Sequence, residues 1–206
     1  ELLEEAYSDK TKAVMIAHTL GNPFNLRAIK EFTEKYNLWL VEDSCDALGS
    51  EYDGKRVGTF GDIGTLSFYP AHHITMGEGG AVFTNNAQLK LCIESIRDWG
   101  RDCYCVGSAN LLSCGTCGKR FDKWLDSYDG IIDHKYVFTN MGYNLKPMDL
   151  QGSIGLVQLK KFEEIDTNRK HSKATIESIF LKYVDGIRGV SMLPKADTCW
   201  FGTPFI

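Results

Sequence analysis

A short segment that follows a predicted buried strand, residues 42–47, carries three side chains that could do chemistry. Asp43 and Asp46 supply carboxylates, and Cys45 supplies a thiol between them. In open parallel sheets, ligands bind at the carboxyl ends of the strands. The segment is therefore a candidate binding segment, although on local grounds a carboxylate there could equally well cap a helix.

A second segment, residues 67–80, combines Ser67 with the pair His72-His73 and a glycine-rich turn. Imidazole titrates near neutrality and can therefore move protons. A glycine-rich run without the full spacing of a phosphate-binding loop is weak support for phosphate binding, and adjacent histidines are often incidental. From these residues alone, both a catalytic and a plain turn interpretation stay open.

Seven cysteines are present, and four of them lie close together in the sequence: Cys103, Cys105, Cys114 and Cys117. An odd number in a chain of this length does not suggest a disulfide framework. Because clustered cysteines in a reducing compartment more often bind a metal, these four are candidate ligands, and a zinc site is one hypothesis. Cys92 and Cys199 are predicted to be core thiols.

The elements that must position these groups begin with a strand–helix–strand unit. Residues 13–17 and 38–41 are short apolar runs typical of buried strands. Between them, Asn25 is a candidate N-cap for a helix that runs to about Tyr36, since its apolar residues recur at helical spacing. This unit predicts a parallel sheet with a right-handed crossover.

Further elements are predicted along the chain: strands at 63–69 and 80–84, a helix at about 88–99, and an inserted loop, rich in cysteine and glycine, at 100–135. Helical periodicity returns from Met148 to about Tyr183, as two helices with a break near residues 166–168. The order of the elements predicts an α/β fold.

The composition excludes several classes of protein. The 206 residues are 43% hydrophobic and 24% charged, with a net charge of −4, so the chain is typical of globular proteins and lacks the basic footprint of non-specific nucleic-acid binding. No apolar run is long enough to span a membrane, and no secretory signal opens the chain. Because the chain starts without Met and ends in an apolar tripeptide, we expect an internal piece of a longer protein.

Together, the two segments resemble those of the DegT/DnrJ/EryC1/StrS family of pyridoxal-phosphate-dependent sugar aminotransferases. The resemblance implies a fold type I, aminotransferase-like three-layer α/β sandwich with a mostly parallel central sheet. It implies that residues 1–145 are part of a large cofactor-binding domain, with 100–135 as its inserted loop. Residues 146–206 would then form linking helices and the start of a smaller C-terminal α+β domain.

The family's Schiff-base lysine is absent, because His72 occupies its position and no lysine lies between Lys55 and Lys90. An ordinary aminotransferase needs that amine. A histidine at this position, together with clustered cysteines, resembles one branch of the family, the CDP-4-dehydro-6-deoxyglucose 3-dehydrases (CDP-6-deoxy-L-threo-D-glycero-4-hexulose 3-dehydrases). Motifs similar to this branch extend over nearly the whole chain: HTLGNP at 18–23, DCYC at 102–105, CGKRF at 117–121, GYN at 142–144 and WFG at 200–202.

The resemblance to this branch implies C3 deoxygenation of CDP-4-keto-6-deoxyglucose on the route to the 3,6-dideoxyhexoses of O-antigen lipopolysaccharide. The implied cofactors are pyridoxamine 5′-phosphate, related to pyridoxal phosphate, and a [2Fe–2S] cluster. The implied assembly is a cytoplasmic homodimer supplied with electrons by an NADH-dependent flavin/iron–sulfur reductase.

The same resemblance implies a role for each polar residue of the site. Asp43 would pair with the pyridine nitrogen, and Asp46 would stand near the ring hydroxyl. Ser67 would bind the phosphate, and Asn144 would reach the phosphate of the neighbouring subunit. His72 would act as the base in place of the lysine, which imidazole suits because its pKa lies near neutrality.

For the cluster, the resemblance implies four thiolate ligands, Cys45, Cys103, Cys105 and Cys117. The gaps between the first three agree with the branch. The last gap is longer than in the branch, with eleven residues before Cys117 or eight before Cys114. The residues around Cys117 favour it, and Cys114 remains the rival.

Three other hypotheses remain. A cluster-free relative, the GDP-4-keto-6-deoxymannose 3-dehydratase, also has histidine for lysine, and a pyridoxal-phosphate sugar aminotransferase is the plain family activity. Outside enzymes, the cysteines could form a metal-thiolate sensing or binding module that performs no turnover.

Overall fold

The computed structural model describes residues 2–103, 105, 118–122 and 125–206. Contacts divide these residues into two compact units. The first contains the chain up to Asn85 together with Met148–Ile206, and the second contains Asn86–Pro147. The predicted division into a large domain and the start of a small one concerns the whole protein and stays a prediction.

The helices of the described residues are α1 (Leu2–Ala6), α2 (Leu26–Lys35), α3 (Ala87–Arg97), α4 (Asp149–Leu159) and α5 (Phe162–Tyr183). The strands are β1 (Ala13–Ala17), β2 (Trp39–Asp43), β3 (Glu51–Tyr52), β4 (Lys55–Arg56), β5 (Ile63–Ser67), β6 (Gly80–Phe83) and β7 (Ala196–Asp197). Among the described residues, 3-10 turns are formed by Thr19–Gly21 and His134–Tyr136. Within the described residues, no helix is long and apolar enough to cross a lipid bilayer.

The predicted strand–helix–strand unit is confirmed as β1, α2 and β2. The side chain of Asn25 accepts a hydrogen bond from the Ala28 amide at 3.1 Å and so caps α2. Helical spacing places Leu26, Ile29 and Phe32 on one face, where all three are buried. Burial of each contributes about 1.5–3 kcal/mol of hydrophobic stabilisation, which fixes α2 against the sheet.

The main sheet has the strand order β1-β2-β5-β6. The first three strands are parallel, and β6 is antiparallel to β5. This mixed sheet confirms the predicted α/β fold with a mostly parallel sheet. In the register of β2 and β5, Asp43 is the partner of Thr65, so the carboxyl ends of both strands meet at one edge.

A smaller antiparallel sheet, β4-β3-β7, lies in the same unit. The core cluster of this unit contains Leu26, Ala47, Tyr52 and Val57. It joins the start of α2 to the segment that follows β2. Residues 43–46 are therefore held at both ends, by strand β2 on one side and by the buried residue Ala47 on the other.

The predicted break between the last two helices is misplaced. Asp166 and Thr167 lie inside α5, and the two helices are separated at Lys160 and Lys161 instead. The helix accommodates both polar residues because the Thr167 hydroxyl donates to the Glu163 carbonyl and Asp166 pairs with Lys170 one turn later at 3.1 Å. Polar residues with such partners do not interrupt a helix.

The second unit begins with α3, whose N-cap Asn86 accepts hydrogen bonds from the amides of Gln88 and Leu89 at 2.9 and 3.2 Å. Among the described residues between 100 and 133, no helix or strand is formed. In that part of the chain, the prediction of an inserted loop agrees with the structure.

Candidate active site

Asp43 ends β2 with its carboxylate held by two donors. Its Oδ1 atom accepts hydrogen bonds from the Cys45 amide at 3.1 Å and from the Thr65 hydroxyl at 3.2 Å. Burial opposes ionisation, but the hydrogen bonds from Cys45 and Thr65 outweigh it and hold the pKa of Asp43 below its usual value. The carboxylate is therefore charged at neutral pH and suited to pair with a protonated ring nitrogen.

The thiol of Cys45 also lies within hydrogen-bonding distance of the Thr65 hydroxyl. Its Sγ atom lies 3.7 Å from Thr65 Oγ1. Burial, followed by the interaction with Asp43, raises the pKa of the Cys45 thiol to about 11. Without a metal, this thiol is protonated at neutral pH.

His72 and Asp46 face each other, a pairing that the sequence analysis did not predict. His72 Nδ1 lies 3.4 Å from Asp46 Oδ1, and the two side chains are 16% and 31% exposed. Asp46 Oδ2 also accepts a hydrogen bond from the Leu20 amide at 3.3 Å. The carboxylate predicted to lie near the ring hydroxyl of the cofactor is thus placed to orient the imidazole.

The imidazole of His72 is packed between aromatic rings. Its centroid is 5.2 Å from that of Phe201 and 6.3 Å from that of Tyr69. Nδ1 is buried without a well-formed hydrogen bond to any described residue. Arg169 donates to the His72 carbonyl at 3.4 Å and so helps to fix the backbone of the turn. His73, by contrast, is buried and bonded through Nε2 to the Cys199 carbonyl, which is a structural role.

Ser67 ends β5 at the same edge as Asp43. Its half-buried hydroxyl accepts a hydrogen bond from the Tyr69 amide at 3.2 Å. Gly80 pairs with Ser67 across the β5–β6 ladder. Because this hydroxyl lies at the carboxyl end of a parallel strand, Ser67 is placed where phosphate groups bind in open sheets.

Glu42 is a buried carboxylate that the sequence analysis missed. Its side chain is fully buried and accepts hydrogen bonds from four donors, namely His18 Nε2 and the amides of Gly58, Phe60 and Gly61. Burial opposes ionisation, but His18 and the backbone amides hold the pKa of Glu42 below its usual value. The available signal was the alternation of β2, which places Glu42 on the same buried face as Leu40.

The second unit holds the remaining predicted groups. Asn144 is exposed and forms an isolated antiparallel bridge with Asp98. Cys103 is half-buried and Cys105 is buried, whereas Cys114 and Cys117 lie outside the described residues. In the described ranges, no group of three potential ligands is placed to hold a metal ion.

The two cysteines predicted to be core thiols differ. Cys199 is fully buried, as predicted. The prediction is wrong for Cys92, which is exposed on α3. Its helical position alone did not show which face of α3 is covered.

The residues at the edge of the main sheet fit the pyridoxamine or pyridoxal phosphate that the family resemblance implies. They combine an ionised carboxylate at Asp43, a hydroxyl at Ser67 and a packed imidazole at His72 whose Nδ1 is buried without a well-formed hydrogen bond to any described residue. This donor set matches the needs of a pyridinium ring, a phosphate and a proton-transfer step.

Comparisons with known proteins identify relatives over nearly the whole chain. The model of the DegT/DnrJ/EryC1/StrS aminotransferase family matches residues 1–206. The lipopolysaccharide biosynthesis protein RfbH of Salmonella typhimurium is 52% identical over 203 residues, which is 98% of this chain and 46% of that protein. The dTDP-4-dehydro-2,6-dideoxy-D-glucose 3-dehydratase of Saccharopolyspora spinosa is 45% identical over 97% of this chain and 42% of its own length.

A solved structure confirms the predicted aminotransferase-like fold. The E. coli GDP-4-keto-6-deoxy-D-mannose-3-dehydratase with bound hydrated PLP superimposes with a TM-score of 0.75 at 28% identity, over 99% of this chain and 49% of that chain. The chain therefore spans about half the length of these relatives.

Proposed function

The chain belongs to the DegT/DnrJ/EryC1/StrS aminotransferase family, and on this premise we propose that the whole protein removes the C3 hydroxyl of a nucleotide-linked 4-keto-6-deoxyhexose. The observation that carries the proposal is that His72, which by the resemblance takes the place of the family's lysine, faces Asp46 at 3.4 Å. A site with an imidazole in place of the amine retains proton transfer but lacks the covalent anchor of a transaminase.

The names of the relatives support dehydration at C3 more strongly than any one nucleotide. Relatives named as 3-dehydratases act on a dTDP-sugar in Saccharopolyspora spinosa and on a GDP-sugar in Yersinia pseudotuberculosis, the latter at 32% identity. RfbH is named for lipopolysaccharide biosynthesis. We infer that the substrate is CDP-4-keto-6-deoxyglucose and that the product serves 3,6-dideoxyhexose synthesis, because the motifs of the chain resemble that branch.

Four residues would hold pyridoxamine phosphate. Asp43 would pair with the ring nitrogen, Ser67 would bind the phosphate, and Asn144 would bind the phosphate of a second subunit in a homodimer. Asp46 would stand beside the ring while it orients His72. When bound, the cofactor supplies an amine for the 4-ketone and a ring that accepts electrons.

His72 would act as the general base through Nε2. Asp46 Oδ1 lies 3.4 Å from Nδ1, so Nδ1 is the ring nitrogen that faces the carboxylate, and Nε2 is the one that would take the proton. The rings of Phe201 and Tyr69 restrict rotation of the imidazole, so Nε2 keeps one direction. Such positioning is needed for proton transfer, which requires heavy-atom distances of about 2.6–3.2 Å.

Cys45, Cys103, Cys105 and Cys117 would hold a [2Fe–2S] cluster, with Cys114 as the alternative fourth ligand. Such a cluster supplies single-electron transfer, here from an NADH-dependent flavin/iron–sulfur reductase. Cys45 supports the assignment because its backbone amide bonds to Asp43, which ties one proposed ligand directly to the cofactor carboxylate.

The proposed base is tested with the full-length His72→Lys variant. We expect dehydration to be lost and visible absorption of lysine-bound pyridoxal phosphate to appear. His171→Lys is the matched control, because His171 is exposed on α5 and the same substitution there should change neither property. Undiminished dehydration by His72→Lys would refute the proposed base.

The proposed cluster is tested by metal and sulfide analysis of the full-length protein. We expect about two iron and two sulfide per chain, and a loss of both in Cys45→Ser but not in the exposed-residue control Cys92→Ser. Zinc without sulfide would reject the cluster. Dehydration that does not respond to a flavin reductase would favour the cluster-free 3-dehydratase, and a protein that binds no B6 cofactor would favour the non-enzymatic module.

A further inference from the structure

Two motifs of the sequence, HTLGNP at 18–23 and WFG at 200–202, meet beside the imidazole of His72. The Phe201 amide donates a hydrogen bond to the Leu20 carbonyl at 3.0 Å. The ring of Phe201 packs against the imidazole, with the two centroids 5.2 Å apart and the planes inclined at 42°. The main chain of the first motif therefore holds the aromatic ring that packs against the imidazole.

Leu20 also holds the carboxylate that faces His72. Its amide donates to Asp46 Oδ2 at 3.3 Å, while Oδ1 of the same carboxylate lies 3.4 Å from His72 Nδ1. The backbone of Leu20 is left-handed, with φ of 55° and ψ of 25°. This conformation costs free energy in a residue other than glycine and persists where the surrounding structure fixes it. Leu20 thus contacts both neighbours of the imidazole, the ring through its carbonyl and the carboxylate through its amide.

Arg169, which is half-buried on α5, joins the same ring to the main chain of His72. Its Nη1 atom donates to the carbonyls of Trp200 at 3.2 Å and of Phe201 at 3.0 Å, and its Nη2 atom donates to the His72 carbonyl at 3.4 Å. The guanidinium carbon lies 5.9 Å from the centre of the Phe201 ring, within the range of a cation–π interaction. Because the guanidinium group is planar and rigid, it fixes the carbonyls of Phe201 and His72 relative to each other.

These contacts close on themselves around the imidazole. Asp46 and Phe201 face it, Leu20 joins these two residues, and Arg169 joins Phe201 to His72. We propose that Leu20 and Arg169, here called the brace, are positioning residues that hold Asp46 and Phe201 against the imidazole and so keep it in one direction. The consequence for catalysis rests on the proposed function of His72 as the base, whereas the fixed direction of the imidazole does not.

The experiment compares the full-length variants Arg169→Met and Lys170→Met. Methionine is a long, flexible side chain like arginine but donates no hydrogen bond. Lys170, the next residue on α5, pairs with Asp166 at 3.1 Å and with Asp197 at 2.9 Å. The control therefore removes a cation and two ion pairs from the same helix and leaves the brace intact. Circular dichroism establishes that each variant is folded.

The first measurement does not depend on turnover. It is the rate at which diethyl pyrocarbonate modifies His72, followed by mass spectrometry, with the exposed His171 of the same sample as the internal standard. The side chain of His72 is 16% exposed, so release of its neighbours should make it more accessible. We expect modification to be about fivefold faster in Arg169→Met, since loss of hydrogen bonds to a charged group favours local opening by about that factor. The rate in Lys170→Met should equal that of the wild-type protein.

The second measurement is steady-state dehydration. Arg169→Met should lower kcat by about ten- to a hundredfold, which is the cost of a catalytic group displaced by up to about 1 Å, and should change KM by less than about twofold. Arg169→Lys retains a donor to the carbonyls and should recover part of kcat. Phe201→Leu should also lower kcat. The double variant Arg169→Met/Phe201→Leu should be about as slow as the slower single variant, since both substitutions act through the same ring.

The outcomes for the brace and for the proposed function are distinct. Faster modification of His72 in Arg169→Met would support the brace even if His72→Lys still catalysed dehydration, a result that would defeat the base. Equal modification rates in the wild-type protein and Arg169→Met would overturn the brace even if His72 proved to be the base. Equally faster modification in Lys170→Met, or fully additive losses of kcat in the double variant, would also overturn it.

Discussion

The thiol of Cys45 is predicted to be unusually unreactive in the metal-free, full-length protein. Burial and the interaction with Asp43 raise the pKa of Cys45 from an ordinary 9.0 to about 11. At pH 8 the reactive thiolate is then about 0.1% of the total, compared with about 10% for an ordinary thiol. The fraction of Cys45 present as nucleophilic thiolate is therefore about a hundredfold lower than for an ordinary cysteine.

The expected change in rate is smaller than the change in thiolate fraction. A thiolate with a higher pKa is a better nucleophile, and the two-unit increase recovers a factor of about 6–10. The net alkylation rate at pH 8 should thus fall by about 10–15-fold. Limited access would slow the reaction at every pH, so only the midpoint of the pH profile reports ionisation.

The assay is alkylation by iodoacetamide from pH 7 to pH 12, followed by mass spectrometry of the Cys45 peptide. Asp43→Asn should move the midpoint of Cys45 down, because a raising interaction is removed. Thr65→Val should move it up, because the Thr65 hydroxyl lowers the pKa of Cys45. Asp53→Asn serves as the control, since Asp53 is exposed, pairs with Lys195 and has a positive φ that asparagine tolerates.

Two results would refute this reasoning. The first is a midpoint for Cys45 near 9 in the wild-type protein. The second is a shift of the same sign in Asp43→Asn and Thr65→Val, since the structure assigns the two neighbours opposite effects on the thiol.

Three further predictions concern stability, measured by urea unfolding. Glu42→Gln should lower the free energy of unfolding by about 3 kcal/mol, because the new amide group would face backbone donors. The folded pKa of Glu42 is depressed, so the stability that its carboxylate contributes is present above the unfolded pKa and is lost as the pH falls through the folded pKa. The variant should therefore lose less stability in acid than the wild-type protein. Asn25→Ala should cost about 1 kcal/mol by removing the cap of α2; a neutral result would refute the capping role. Gly21→Ala should cost about 2 kcal/mol or more, because φ is +87° and a Cβ would meet the Cys199 carbonyl; wild-type stability would contradict that contact.

Local sequence patterns predicted the elements whose apolar residues repeat regularly. The strand at 13–17 and the helix capped by Asn25 agree with the structure, because hydrophobic period and capping chemistry are both local. The break near Asp166 was wrong, since its i,i+4 partner Lys170 makes that residue compatible with a helix. A polar residue on a helix is ambiguous until its partner is known.

The sequence predicted which polar residues lie at the strand ends, but it did not predict which of their side chains contact each other. Asp46 and His72 are separated by 26 positions, and only the fold brings their side chains together. Glu42 was missed for a related reason: its four donors come from His18 and from the turn after β4, which no pattern within β2 reveals. Spacing along the chain therefore identified the groups, and topology assigned their partners.

Asp43 and Asp46 are three residues apart, yet their different neighbours suit them to different tasks. Asp43 accepts hydrogen bonds from Cys45 and Thr65, which favour its charge, whereas Asp46 accepts from Leu20 and faces His72. Cys45 lies between the two carboxylates, and both of them disfavour its thiolate. Any metal that takes Cys45 as a ligand must therefore displace a firmly held proton, and its uptake should become more favourable as pH rises.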